Sequence, residues 1–219
     1  MLIIDDYKRV LSTMLHPSTV TKKRMTLTEG LLYYIKGTAI PFALLILCII
    51  ASQFVFHAKV TFSNGIGPLA GLAVNLATYG STGIVLAIIL IVGFDLYIYV
   101  GTGMLILAAI VYILGKVFVK HFKGSYTSTF SGIVYGVTAA FALIWFLAVA
   151  LLIGGIMNSE VTAFPLSLVG FLGLLWGFVV TIKAVAVQDD MPEYISALFL
   201  IAIIVALLLS GQAHLSVSL

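Results

Sequence analysis

GKVFVKHFKGSYTSTFSGIVYG, Gly115 to Gly136, places three lysines, Lys116, Lys120 and Lys123, within eight residues of an otherwise apolar stretch of chain. A long apolar run ends at Val119, and another begins at Gly132 once the polar string SYTSTFSG (Ser125 to Gly132) is passed. Bases gathered between two apolar runs mark a short cytoplasmic turn between membrane spans. Gly124 and Ser125 are residues that let the chain reverse there. The three lysines are therefore read as topology anchors, and the rest of the chain is read outward from them.

The 219 residues are 62% hydrophobic and 9% charged, with a mean hydropathy of +1.23. Ordinary soluble domains carry roughly 45–50% apolar residues. Eight acids and eleven bases do not furnish a water-facing surface for a domain of this size. These values predict an all-α integral membrane protein. The net charge of +3 comes from bases scattered over span-flanking loops, so nucleic acid is not an expected partner. Cys48 is the single cysteine, which excludes an internal disulfide and a cysteine-based metal site. The first 30 residues lack the continuous apolar segment of a cleavable signal, and the first membrane helix is expected to act as the signal.

A hydrocarbon core about 30 Å thick requires about 20 apolar residues in a helix. Four runs meet this: Thr38 to Phe56, Gly132 to Ile153, Val161 to Ile182 and Tyr194 to Gln212. A fifth region, Ser81 to Val119, is apolar for 39 residues. As one straight helix it would be about 58 Å long, close to twice the membrane thickness. It is expected to bend or divide at GFDLYIYVGTG, Gly93 to Gly103, giving a full span over about Tyr99 to Val119 preceded by a bent or re-entrant segment, 81–98. Lys8, Arg9, Lys22, Lys23, Arg24 and Lys36 assign residues 1–37 to the cytoplasm, Lys59 stands alone in the next loop, and GGIMNSE carries no base. The signs alternate as about five transmembrane helices require, with the amino terminus cytoplasmic and the loop AVAVQDDMPEY on the same side.

Thr26 and Glu29, three residues apart ahead of an apolar cluster, form a capping-box pattern that predicts a helix feeding the first span. Tyr7 to Leu15 places Val10, Leu11, Met14 and Leu15 on one face and bases on the other, predicting a helix lying on the membrane surface that Pro17 ends.

Asp95 is the sharpest candidate for chemistry, because an acid inside an apolar run is a functional-site candidate by default. With Tyr97 and Tyr99 it forms a candidate polar membrane site. Three readings stay open: an interfacial acid at a helix break, an ion, proton or polar-substrate site, and a structural hydrogen-bonding group. Two GxxxG patterns, Gly132 with Gly136 and Gly173 with Gly177, predict close helix packing within the chain or between chains. SYTSTFSG lacks the glycine-rich loop and the partnered base of a phosphate or nucleophile site and reads as a capped helix start. NGIGPLAG, Asn64 to Gly71, reads as a turn or re-entrant loop on the outer face rather than a nucleotide site. Trp145 and Trp176 are expected to pack within spans, and Pro41 and Pro165 to stand near span starts. His16, His57, His121 and His214 fall in loops or at span ends without i, i+4 pairing, so no metal or other cofactor is expected. No paired carboxylates and no Ser/His/Asp set emerge, and the expectation is that the protein is not an enzyme.

Three stretches carry a resemblance to a known family: YKRVLSTMLHP leading through EGLLYYIKGTAIPFALLI, ILGKVFVKHFKGSYTSTFSGIVYG, and LWGFVVTIKAVAVQDDMPEYISALFLIAI. Together they resemble the Yip1 domain family, and the resemblance covers most of the chain. It implies a five-span membrane protein with a cytoplasmic amino terminus. The amino-terminal segment is short, without the long cytoplasmic region of the eukaryotic members, so the likeness is to the short prokaryotic relatives and implies a prokaryotic plasma membrane. The expected function is to pack with itself or with a membrane-protein partner, among membrane lipids, and to organise or traffic membrane components. The alternative is a small ion- or proton-linked transporter or channel that uses Asp95.

Overall fold

The computed structural model describes residues 2–17, 24–55, 95–143, 146, 149–150 and 160–215, with single positions at 83, 85, 86 and 89. Its elements are helical: α1 (Leu2–Leu15), α2 (Leu27–Val55), a π-helical turn (Asp95–Tyr99) that runs into α3 (Val100–Phe118), α4 (Tyr126–Phe141), α5 (Glu160–Asp189) and α6 (Glu193–Leu215). Three stretches of 22 residues, Leu27–Cys48, Tyr97–Phe118 and Leu168–Asp189, are long and apolar enough to cross a membrane. At 1.5 Å per residue each is about 33 Å long, matching a hydrocarbon core.

Three such helices, rather than five, meet the length and composition required among the described residues, and each departure from the expected spans has a local cause. α2 starts at Leu27, where the capping-box pattern predicted a helix feeding the first span: Glu29 N–H donates to Thr26 Oγ1 at 3.3 Å and Thr26 N–H donates to Glu29 Oε2 at 2.9 Å. Pro41 then falls in the helix interior and not at a span start. A proline there lacks the N–H that would bond to the Gly37 carbonyl, four residues back. α3 agrees with the expected span to within one residue at each end. α4 begins earlier than the expected Gly132 and stops at Phe141. There Ala142 N–H bonds to Ala139 and Phe146 N–H bonds to Leu143, the three-residue spacing of a tightened turn. α5 runs on past Ile182 to Asp189. The loop holding Lys59, NGIGPLAG, segment 81–94 apart from four single positions, Trp145, 151–159 and the tail beyond 215 lie outside the described residues.

α4 and α5 share the most extensive interface, and they run antiparallel. Small residues repeat every fourth position along both. A Cβ on Gly132 would lie 2.7 Å from Val185 Cα, one on Gly136 would fall on Thr181, one on Gly177 would fall on Ala140, and one on Gly173 would lie 2.9 Å from Leu143 Cβ. All four glycines of the two GxxxG patterns thus line one seam within the chain, where ridges four residues apart interlock. Val134, Ile133, Phe130, Val180, Ala184 and Val185 are fully buried around it.

α1 departs from the expected surface-lying helix. Val10 and Thr13 are completely buried, and Val10 packs against Gly37 of α2. The Tyr7 hydroxyl donates to the Ala142 carbonyl at 2.9 Å, at the point where α4 ends. Trp176 Nε1 donates to the Met14 carbonyl at 2.7 Å, so this tryptophan fastens α1 to α5 rather than only filling space. The stripe read as lipid-facing is therefore divided: Val10 turns to the bundle, while Leu15 is 71% exposed. Three helices offering one groove outcompete a flat interface for the same apolar face.

Candidate functional site

The sites where chain segments far apart in sequence converge lie at one end of the bundle, where α2, α4 and α6 begin and α3 and α5 end. Its centre is Asp189, the last residue of α5, which is fully buried. Ser128 Oγ lies 2.5 Å from Asp189 Oδ1 and Thr129 Oγ1 lies 2.6 Å from Oδ2, so each carboxylate oxygen accepts from one hydroxyl. Both hydroxyls belong to the first turns of α4, whose unsatisfied amides give that helix end a partial positive charge. Arg24, ahead of α2, bears on the carboxylate electrostatically and donates to the neighbouring Gln188 carbonyl at 3.4 Å. A carboxylate without water needs this much company, since an unpaired buried charge costs several kcal/mol.

Local sequence explains how the acid comes to lie there. Ser125 has extended backbone and caps α4: its Oγ accepts from Ser128 N–H at 3.2 Å, and Ser128 Oγ accepts from Ser125 N–H at 2.8 Å. Gly124 precedes the cap, and a Cβ there would stand 2.5 Å from Asp189 Oδ1, so no other residue admits the carboxylate so close. On the other side, Asp190 has φ of 53° and Met191 N–H bonds to the Ala186 carbonyl at 3.0 Å. That is the Schellman ending of α5, with an aspartate where glycine is usual and Met191 and Ala186 both buried beneath it. Pro192 prevents the helix from resuming.

Other links close the same end. Ser131 Oγ accepts from Met25 N–H at 2.9 Å and donates to the Met25 carbonyl at 3.0 Å, joining the approach to α2 with α4. Ser196 Oγ of α6 donates to the Ile182 carbonyl of α5 at 3.0 Å. Phe122 covers Gly115 and stacks near Tyr112. The three lysines read as topology anchors also lie here. Lys116 stands over the Tyr112 ring at 5.2 Å, Lys120 is exposed in the turn, and Lys123 pairs with Asp190 at 3.2 Å, both side chains being about 70% exposed. An exposed pair of this kind adds little stability.

Of the candidate set built on Asp95, the structure describes the side chains of Tyr97 and Tyr99. The backbone of the set forms the π-helical turn, while the Asp95 side chain lies outside the described residues. Tyr97 turns inward, its ring 5.2 Å from Phe42 and 6.0 Å from Tyr34 by centroid, in an edge-to-face cluster that includes Phe141. Tyr99 turns outward and is 51% exposed. The four glycines serve the α4–α5 seam, of which the Asp189 clamp is the continuation: Ser128 stands one step of four before Gly132, and Asp189 four beyond Val185.

Sequence reading missed Asp189. The signal was present: an acid at a helix C-terminus opposes the local dipole, so an aspartate there requires donors from elsewhere. The string Ser125 to Ser131 holds more hydroxyls than one cap needs.

No family model, curated protein or solved structure matches the chain. The Yip1 resemblance rests on the three stretches quoted above.

Proposed function

We propose that the chain is a non-enzymatic integral membrane protein of about five spans, amino terminus in the cytoplasm, that packs with itself or a membrane-protein partner to organise or traffic membrane components. The observation that carries this reading is the Asp189 clamp. Both oxygens of this buried acid are occupied by hydroxyls of the same chain, so it holds the ends of α4 and α5 together instead of meeting a substrate. The result is a fixed platform at one end of the bundle, bearing exposed Lys120, His121, Lys123 and Asp190. Supporting its cytoplasmic assignment, Arg24, Lys116, Lys120 and Lys123 all stand at that end. The resemblance to short prokaryotic Yip1 relatives points the same way and favours a plasma membrane.

Single-cysteine labelling in a Cys48→Ala background tests the arrangement. Lys120→Cys should label only from the cytoplasm, and Asn64→Cys and Asn158→Cys only from outside. Crosslinking in cells should capture a second copy or a membrane protein. A strictly monomeric mass in mild detergent, with no crosslinked partner, would overturn the packing role.

One observation favours a second reading, a small ion- or proton-linked transporter. The π-helical turn begins at Asp95, and such wide turns occur frequently at functional sites. If Asp95 carries the ion, Asp95→Asn abolishes flux into proteoliposomes; an unchanged flux removes the idea.

A further inference from the structure

Between α1 and α5 lies an apolar groove of about 440 Å³, lined by Met14 of α1, by Leu143 and, along α5, by Val169, Leu172, Trp176 and Val179. Trp176 frames it: its Nε1 is satisfied by the Met14 carbonyl, and the side chain remains 42% exposed. An indole so tied offers its apolar ring to whatever enters. From Val169 to Val179 the groove follows α5 for ten residues, about 15 Å. That is half of a hydrocarbon core about 30 Å thick, the depth of one leaflet.

Lys183 supplies an independent observation. Val169, Trp176 and Lys183 are spaced by seven, so they share one face of α5, and Lys183 stands one turn beyond Val179. No charge occurs from Val161 to Ile182, so Lys183 is the first charged residue where the apolar run ends. It is half-buried, and among the described residues no acid pairs with it. Asp189 is held by Ser128 and Thr129, and Asp190 pairs with Lys123. An apolar groove one leaflet long thus ends at an ammonium group, at the level where headgroups begin.

We propose that the groove binds one acyl chain of an anionic phospholipid whose phosphate lies against Lys183, in the leaflet on the Asp189 side of the bundle. The order of residues along α5 selects this occupant. A phospholipid is charged at the surface and apolar for the depth of one leaflet, which is the order met from Lys183 to Val169. An apolar transmembrane helix of a partner would run the full thickness, about twice the length of the groove, and would bring the lysine no counterion. A zwitterionic headgroup carries its own cation beside the phosphate, so an unpaired lysine favours one with a net negative charge. Such a site requires membrane insertion and neither self-association nor transport, so it goes beyond the function proposed above.

Trp176 lines the groove and can report on it. With Trp145→Phe leaving it as the single tryptophan, the full chain is reconstituted in phosphatidylcholine bilayers. A fixed fraction of brominated phosphatidylglycerol or brominated phosphatidylcholine is included, and quenching of the fluorescence is measured. The phosphatidylglycerol should occupy the groove about fivefold more readily, the worth of one lysine near a membrane surface. Lys183→Gln should abolish that preference and Lys183→Arg should keep it. Lys120→Gln, which removes a base from the turn at the same end, should leave it unchanged. Equal quenching by brominated phosphatidylcholine in parent and Lys183→Gln checks that the variant is folded. Emission that neither lipid quenches would mean that protein covers the groove, and would overturn the proposal. Equal quenching by the two lipids in the parent, or a preference that survives Lys183→Gln, would overturn it too. A loss in Lys120→Gln matching that in Lys183→Gln would replace the site with attraction to the surface at large. Loss of the preference on adding inorganic phosphate would make it a site for a free anion instead of a lipid.

Discussion

Asp189→Ala is expected to lower the melting temperature in detergent by roughly 5–10 °C, the equivalent of about 2–3 kcal/mol in a chain of this size. The carboxylate accepts two short hydrogen bonds, from Ser128 at 2.5 Å and Thr129 at 2.6 Å, and bonds to a charged group contribute about 1.5–3 kcal/mol each. The loss is smaller than their sum because both hydroxyls have a second acceptor in reach. The Ser125 carbonyl lies 2.8 Å from Ser128 Oγ and 3.2 Å from Thr129 Oγ1. Alanine therefore strands no donor, and what disappears is the charge-assisted tie between α4 and α5. Asp189→Asn keeps the shape and one acceptor and should fall between parent and alanine. Asp189→Ala should also make Ser128→Ala and Thr129→Val less damaging than they are in the parent, since the partners act as a unit. Tryptophan-fluorescence melting measures all of these, and equal melting of parent and Asp189→Ala would remove the clamp from the account.

Gly136→Leu or Gly177→Leu is expected to prevent α4 and α5 from closing, with little folded protein recovered. A Cβ at Gly136 would fall on Thr181 Cα and one at Gly177 on Ala140 Cα, and backbone atoms cannot swing aside as a side chain can. Even Gly136→Ala should cost about 1–3 kcal/mol, the usual range for overpacking. Gly103→Ala is the control. Its Cβ has open space, so it should be neutral or slightly stabilising to the monomer through helix propensity. If Gly136→Ala and Gly103→Ala melt together, the seam is not as close as described.

These two predictions divide between what was legible beforehand and what was not. The GxxxG patterns announced a close helix contact, because spacing by four is a property of sequence alone. That the two patterns would share one seam, instead of each meeting a separate partner, depends on the antiparallel register of α4 and α5. The capping box at Thr26 and Glu29 was legible for the same local reason. The helix through Thr38 begins at Leu27, because the cap, a local feature, decides where a helix starts, whereas hydropathy registers lipid contact. α1 was misread because a stripe of Val10, Leu11, Met14 and Leu15 fits a membrane surface and a protein groove equally well. Asp189 was overlooked because its partners, Ser128 and Thr129, lie some 60 residues away.

Composition and local spacing alone determined that this is a helical chain for a membrane, where the lysines cluster, and which residues start and stop helices, since each depends on a residue's immediate neighbours and its solvent. Only the tertiary structure decided that the glycines face one another, that α1 is taken into the bundle, and that a single buried aspartate joins the hydroxyls of α4 to the end of α5. A hydrogen bond needs its two atoms within about 3 Å, and linear sequence carries no distance between residues that only folding brings together.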